Sequence, residues 1–144
     1  MSSYIPIDLQ RRVREKFAQR CAYCQTAETL TVAIFEFDHI MPRAAGGQSI
    51  FENLCFVCPT CNRYKASRQT VVDPLSNETV SLFHPQRQQW SEHFAWSEDG
   101  TEIIGLTPTG RGTIAALKMN RPQLIRVRRM WVQMGEHPPS SDDS

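Results

Sequence analysis

The chain lacks any long hydrophobic run. Its most apolar pieces are short and strand-like, such as Val32-Ala33-Ile34-Phe35, far below the roughly 20 apolar residues that a membrane-spanning helix needs. No membrane span is expected. Met1 to Gln10 contain neither a basic n-region nor an apolar h-region, so no secretion signal is expected either. Charge of one sign is equally scarce: 16 basic and 15 acidic residues give a formal net charge of +1. The total therefore offers no argument for a nucleic-acid or membrane partner. There is no internal repeat and no low-complexity segment apart from a polar Pro-Pro-Ser-Ser-Asp-Asp-Ser tail, expected to be disordered from about residue 137. What remains is a compact soluble protein of ordinary single-domain size, 144 residues with 40% hydrophobic residues.

Against these absences stand five cysteines. Without a signal sequence their spacing reads as metal ligation by reduced thiolates rather than as a disulfide framework, and the expected compartment is cytoplasmic. Cys21-x-x-Cys24 and Cys58-x-x-Cys61 offer the four thiolates that zinc takes tetrahedrally in a closed structural site. Cys55-x-x-Cys58 has the same spacing. The pair Cys58 and Cys61 is favoured because Cys55 lies among Leu54, Phe56 and Val57, where a thiol acts as a small strand hydrophobe. Four thiolates around one zinc would lower the formal charge by two, so the sequence pI is a poor guide to the protein's charge. The loop-rich segment between the pairs can bury only a small core, and zinc-coupled folding supplies about 10–16 kcal/mol in small modules.

Local patterning predicts an α+β fold. Asp8 leads a stripe of Leu9, Val13 and Phe17 and is expected as the N-cap of a first helix. Val32, Ile34, Phe35 and Phe37 predict a strand from Thr31 to Ile40, ending in Asp38 and His39; Pro42 and Ala44-Ala45-Gly46-Gly47 then force a loop. Leu54 to Val57 fits a second strand, and Pro59 opens a helix that runs through Asn62, Lys65 and Arg68. Asp73-Pro74-Leu75-Ser76-Asn77 reads as a turn-rich boundary between a module over 1–72 and an extension over 73–144. In the extension, strands over Trp90 to Trp96 and Thr101 to Leu106 are expected around an Asp99-Gly100 hairpin turn. Helices are expected over Gly110 to Met119 and from Asn120 onward.

The densest chemistry lies in Asp38-His39-Ile40-x-Pro42, Gly46-Gly47, Glu52-Asn53-Leu54 and Cys58-x-x-Cys61-Asn62-x-x-Lys65. In combination these motifs resemble the HNH endonucleases, in the zinc-clipped branch whose third signature residue is asparagine. The resemblance covers about Cys21 to Ser67 and implies a ββα-metal finger. It further implies that His39 is the general base, that Asp38 and Asn62 ligate one divalent catalytic ion, and that Asn53 fixes the loop holding the histidine. The chemistry agrees with such roles. A neutral imidazole can take a proton from water, and an ion held by one carboxylate and one amide oxygen keeps several waters, as magnesium or manganese does. Glu36 alternates with Asp38 and can support the site from behind it or simply face solvent.

Charge distribution adds candidate nucleic-acid contacts. Arg43, Lys65 and Arg68 flank the motif, Lys65 on the same helical face as Asn62, while Arg111 to Arg129 holds six basic residues and no acid. In that last segment Arg126, Arg128 and Arg129 are expected on the surface. His84, His93, Trp90, Trp96 and Trp131 read as packing residues. The expected function is metal-dependent cleavage of phosphodiesters, most simply in double-stranded DNA. The alternative is a zinc-dependent nucleic-acid-binding module that does not cleave. A thiol redox protein is disfavoured because the βαβ context of such motifs is missing.

Overall fold

The computed structural model describes residues 5–139. It is a mixed fold of five helices and three two-stranded antiparallel sheets among the described residues. Two compact units divide the chain. The first runs to Gln69 and includes His84–Arg87; the second comprises Thr70–Phe83 and the chain from Gln88. No single cut in the chain separates them.

The first unit begins with helix α1, Ile7–Lys16. Asp8, expected as its N-cap, lies instead in the first turn: Pro6 occupies the cap position and Asp8 pairs with Arg11 at 3.2 Å. A carboxylate there still favours the helix N-terminus electrostatically. Val13 is fully buried, and α1 packs against β2. Strand β1 covers only Glu36–His39, not the ten residues from Thr31. The reason lies in its partner, because β2 has four residues, Leu54–Val57, and the antiparallel ladder ends at Glu36↔Val57. Beyond that rung Val32 and Ile34 stand exposed. Helix α2 is Pro59–Lys65, shorter than expected because Ala66 turns out of helical geometry at φ 49°. Cys58 caps α2, its Sγ accepting the Cys61 N–H at 3.4 Å, with Pro59 in the first turn where no N–H is needed. Gln86 ties the strand entry, its Nε2 donating to the carbonyls of Phe51 and Leu54. The order is helix, strand, loop, strand, helix, with α1 over Phe37 and Phe56 and α2 on the opposite face of the ribbon.

In the second unit the Asp73–Asn77 stretch is not a boundary but the turn of a hairpin, β3 Thr70–Val72 with β4 Thr79–Ser81. Asp73 organises that turn: it accepts from Leu75 N–H and Ser76 Oγ, and Arg111 grips both its oxygens at 2.9 Å. Trp90–His93 forms a short helix, α3, so the expected strand there begins at Phe94. Strands β5, Phe94–Trp96, and β6, Ile103–Gly105, form the second hairpin. Helix α4, Pro108–Leu117, is capped by Thr107 Oγ1 and lies so close to the chain at His93 that a Cβ on Gly110 would meet the His93 carbonyl oxygen at 2.1 Å. Helix α5 is Pro122–Gln133. Phe83, Phe94, Ile103, Leu117 and Met119 supply a core of its own.

Two expectations are corrected here. Arg128 is not on the surface; it is fully buried, donating to the carbonyls of Met119 and Thr101 and to Asn120 Oδ1, with its guanidinium over the Trp96 ring. The last loops leave carbonyls that only a long multiple donor can reach. Disorder does not begin at residue 137 either, because His137 is buried, lies edge-on to Trp96 and Trp131, and bonds the Gly100 carbonyl. The rest of the predicted tail, from residue 140, lies outside the described residues. No helix among the described residues is long and apolar enough to cross a membrane.

Candidate metal centre and nuclease site

Four sulfurs converge from two turns. Cys21 and Cys24 come from the turn after α1, Cys58 and Cys61 from the start of α2, and their Sγ atoms all lie within 4.8 Å of one another. Tetrahedral zinc–thiolate bonds of about 2.3 Å require sulfurs about 3.8 Å apart. Cys24 and Cys58 are separated by 3.9 Å. That pair already has the zinc spacing, and every other sulfur separation is at most about 1 Å longer. All four side chains are buried, and none of the five cysteines is in a disulfide. Burial pushes the Cys21 thiol well up, while sulfur contacts with Cys21 and its neighbours bring Cys24 well down. Four buried thiolates need a cation among them. Cys55 is outside the cluster. It is paired opposite Asp38 on β2 and is fully buried, and burial pushes its thiol well up.

The second group of residues is assembled by the ribbon. Alternation along β1 sends Glu36 and Asp38 to the α2 face, where they meet Asn62 and Lys65, one helical turn apart. Asn62 Nδ2 donates to Glu36 Oε1 at 2.8 Å, and Lys65 Nζ lies 2.8 Å from Asp38 Oδ2. His39 ends the strand, 9% exposed, with its Nε2 2.8 Å from Ser49 Oγ. Residues 21–68 match the HNH endonuclease family. No curated protein and no solved structure matches the chain.

The match supports a nuclease-like function and implies a nucleic-acid substrate. The four-cysteine cluster within it agrees with the zinc-clipped form of the HNH fold. Within the HNH segment the loop from Met41 to Asn53 is closed by one amide. Asn53 Oδ1 accepts the Met41 N–H at 2.8 Å, and its Nδ2 donates to the carbonyls of Met41 at 3.1 Å and Gln48 at 3.0 Å. Gly47 is required at the same closure, since a Cβ there would fall 1.8 Å from the Met41 carbonyl oxygen. Asn53 thus braces the loop beside His39.

Lys65 departs from its expected role. It was expected to meet a phosphate, but its side chain is completely buried, paired with Asp38, with Nζ also donating to the His39 carbonyl at 3.2 Å and the Ala66 carbonyl at 3.5 Å. A seven-residue helix docked on a short ribbon leaves its inner face no solvent to reach. Arg43 and Arg68 are exposed, and Arg68 Nε donates to the Tyr64 carbonyl.

Electrostatics separate the two ionisable neighbours. Burial raises the Asp38 carboxyl above its ordinary value, partly offset by Lys65. Burial lowers His39, with Arg43 and Lys65 acting in the same direction against Asp38. Ser49 had no signal in the sequence beyond its place in a glycine-rich loop. Glu36 is marked in the sequence only by its alternation with Asp38.

Proposed function

We propose that residues 21–68 hydrolyse phosphodiester bonds in double-stranded DNA, by nicking or by cutting both strands, with a zinc clip for folding and a separate oxygen-ligated ion for chemistry. The observation that carries this reading is the placement of His39. Its Nε2 lies 2.8 Å from Ser49 Oγ, and burial lowers its pKa, which favours the neutral ring; in the tautomer that donates Nε2–H to Ser49, Nδ1 is left to take a proton from water. Asp38 and Asn62 fit a hard divalent ion by donor type: one carboxylate that keeps 18% of its side chain exposed and one amide oxygen. Bound there, magnesium or manganese would supply Lewis-acid stabilisation of charge at the phosphate. Asn53 keeps the His39 loop closed, Lys65 holds Asp38 from behind, and the exposed Arg43 and Arg68 meet the nucleic-acid backbone. Cysteines that must stay reduced to bind zinc suit a cytoplasmic protein.

The test is incubation of the purified chain with supercoiled plasmid, with and without magnesium or manganese, beside His39→Ala. Removing a general base is expected to slow nicking by about 10²–10⁴-fold while leaving the zinc content unchanged. Equal nicking by both proteins would remove His39 from the mechanism. The pairing of Asp38 with Lys65 is what a non-cleaving nucleic-acid-binding module would also show. Metal-independent binding of the plasmid without any nicking by the parent would favour that second reading.

A further inference from the structure

We infer that Glu36 is a positioning residue that sets which atom of Asn62 faces the catalytic ion. The inference rests on the ion site proposed at Asp38 and Asn62. Asparagine is an ambiguous ligand, because its amide carries an oxygen that can hold a hard cation and an NH₂ that cannot. Rotation by half a turn about the last torsion exchanges the two at little cost. Something must fix the choice.

Glu36 does so by chemistry alone. Its carboxylate can only accept, so the group of Asn62 that meets Glu36 Oε1 at 2.8 Å has to be the NH₂. Oδ1 is then the end turned away from Glu36. The geometry that brings them together is built in: Glu36 and Asp38 are alternate residues of β1, Asn62 and Lys65 one turn apart on α2, and the two elements are joined by two rungs of equal length, 2.8 Å each. The Lys65 rung fixes one oxygen of Asp38, and the Glu36 rung fixes the NH₂ end of the amide. Hydrogen-bonding partners behind a metal ligand typically contribute 10–100-fold in metal affinity. Glu36 is exposed, so its replacement is expected to leave the fold in place.

Two variants separate orientation from charge. Gln at position 36 keeps an acceptor oxygen for Asn62 but loses the charge, whereas Ala loses both. Binding of Mn²⁺ to the zinc-loaded full chain, read by the electron paramagnetic resonance of free Mn²⁺, is expected to be within about threefold of the parent in E36Q and 10–100-fold weaker in E36A. The side-chain amide resonances of Asn62 should stay dispersed in E36Q and collapse toward free-amide values in E36A, a readout independent of the ion. Equal weakening in both variants would show a direct ligand or a charge effect and overturn the inference, as would unchanged binding in both. Absence of any Mn²⁺ site sensitive to D38N in the parent would instead overturn the ion site itself, and this inference with it.

Discussion

Replacing Lys65 by Met tests the internal arrangement of the site most sharply, because two roles for this lysine predict opposite results. In the structure its ammonium lies 2.8 Å from Asp38 Oδ2 and 3.2 Å from the His39 carbonyl, with no part of the side chain exposed. Lys65→Met keeps the packing stem and removes the charge. Breaking a buried pair by removing one partner costs about 3–5 kcal/mol, because the other charge is stranded. Asp38 retains 18% exposure, and burial already raises its carboxyl, so taking up a proton relieves part of that cost. The expected loss is about 2–4 kcal/mol. For a unit of this size each kcal/mol shifts the melting temperature by about 4–8 °C. The assay is thermal and urea unfolding in saturating zinc, with Asp38→Asn and the double variant completing a cycle. The double variant should lose less than the two single variants together, by about 0.5–3 kcal/mol. In the same samples the salt dependence of plasmid binding should not change, whereas a lost phosphate contact would reduce its slope by about 0.9. A Lys65→Met protein that melts with the parent and binds with a shallower salt slope would refute the reasoning.

Other outcomes follow from the same geometry. Asn53→Ala removes three hydrogen bonds from a half-buried amide and should cost about 2–3 kcal/mol; Asn53→Asp should be no better, since a carboxylate would face two carbonyls, and near-parental melting of either would count against the brace. Chelation of zinc, or Cys61→Ser, should unfold the first unit, seen as loss of the protected amides of β1 and β2 in hydrogen exchange; unchanged protection in zinc-free protein would reject the clip. Cleavage should decline in acid with a midpoint below the ordinary imidazole value of about 6.5, because burial lowers His39 and the base must be neutral; a rate still flat at pH 5 in folded protein would exclude it. Arg111 holds the Asp73 carboxyl well below its usual range, so the folded state binds this proton more weakly than the unfolded chain. Stability from the pair is present above about pH 4 and falls as the solution is acidified further, and melting curves of Asp73→Asn should lack that acid-dependent part.

The ribbon and the clip were legible because their signals are local. Two Cys-x-x-Cys spacings identify the four ligands, Pro59 marks a helix start, and Leu54–Val57 reads as a strand whatever surrounds it. Strand length was not legible: Val32 and Ile34 have β propensity, but β2 offers no rung beyond Val57 for them to pair with. The hairpin turn at Asp73 looked like a boundary, since the same turn residues serve both.

By itself, the sequence determined the helix, strand, loop, strand, helix order of the first unit, the four clustered sulfurs and the set of side chains from which a nuclease site can be built. Only the tertiary structure decided what each of those side chains touches. Lys65 and Asn62 carry the same spacing whether they face solvent or a strand; docking of α2 on β1 buries the first against Asp38 and turns the second toward Glu36. Ser49 meets His39 in the loop that Asn53 closes, and Arg128 is buried where Met119, Thr101 and Asn120 present acceptors together. A charged or polar side chain takes its role from the partner that long-range register delivers, and local periodicity carries no record of that partner.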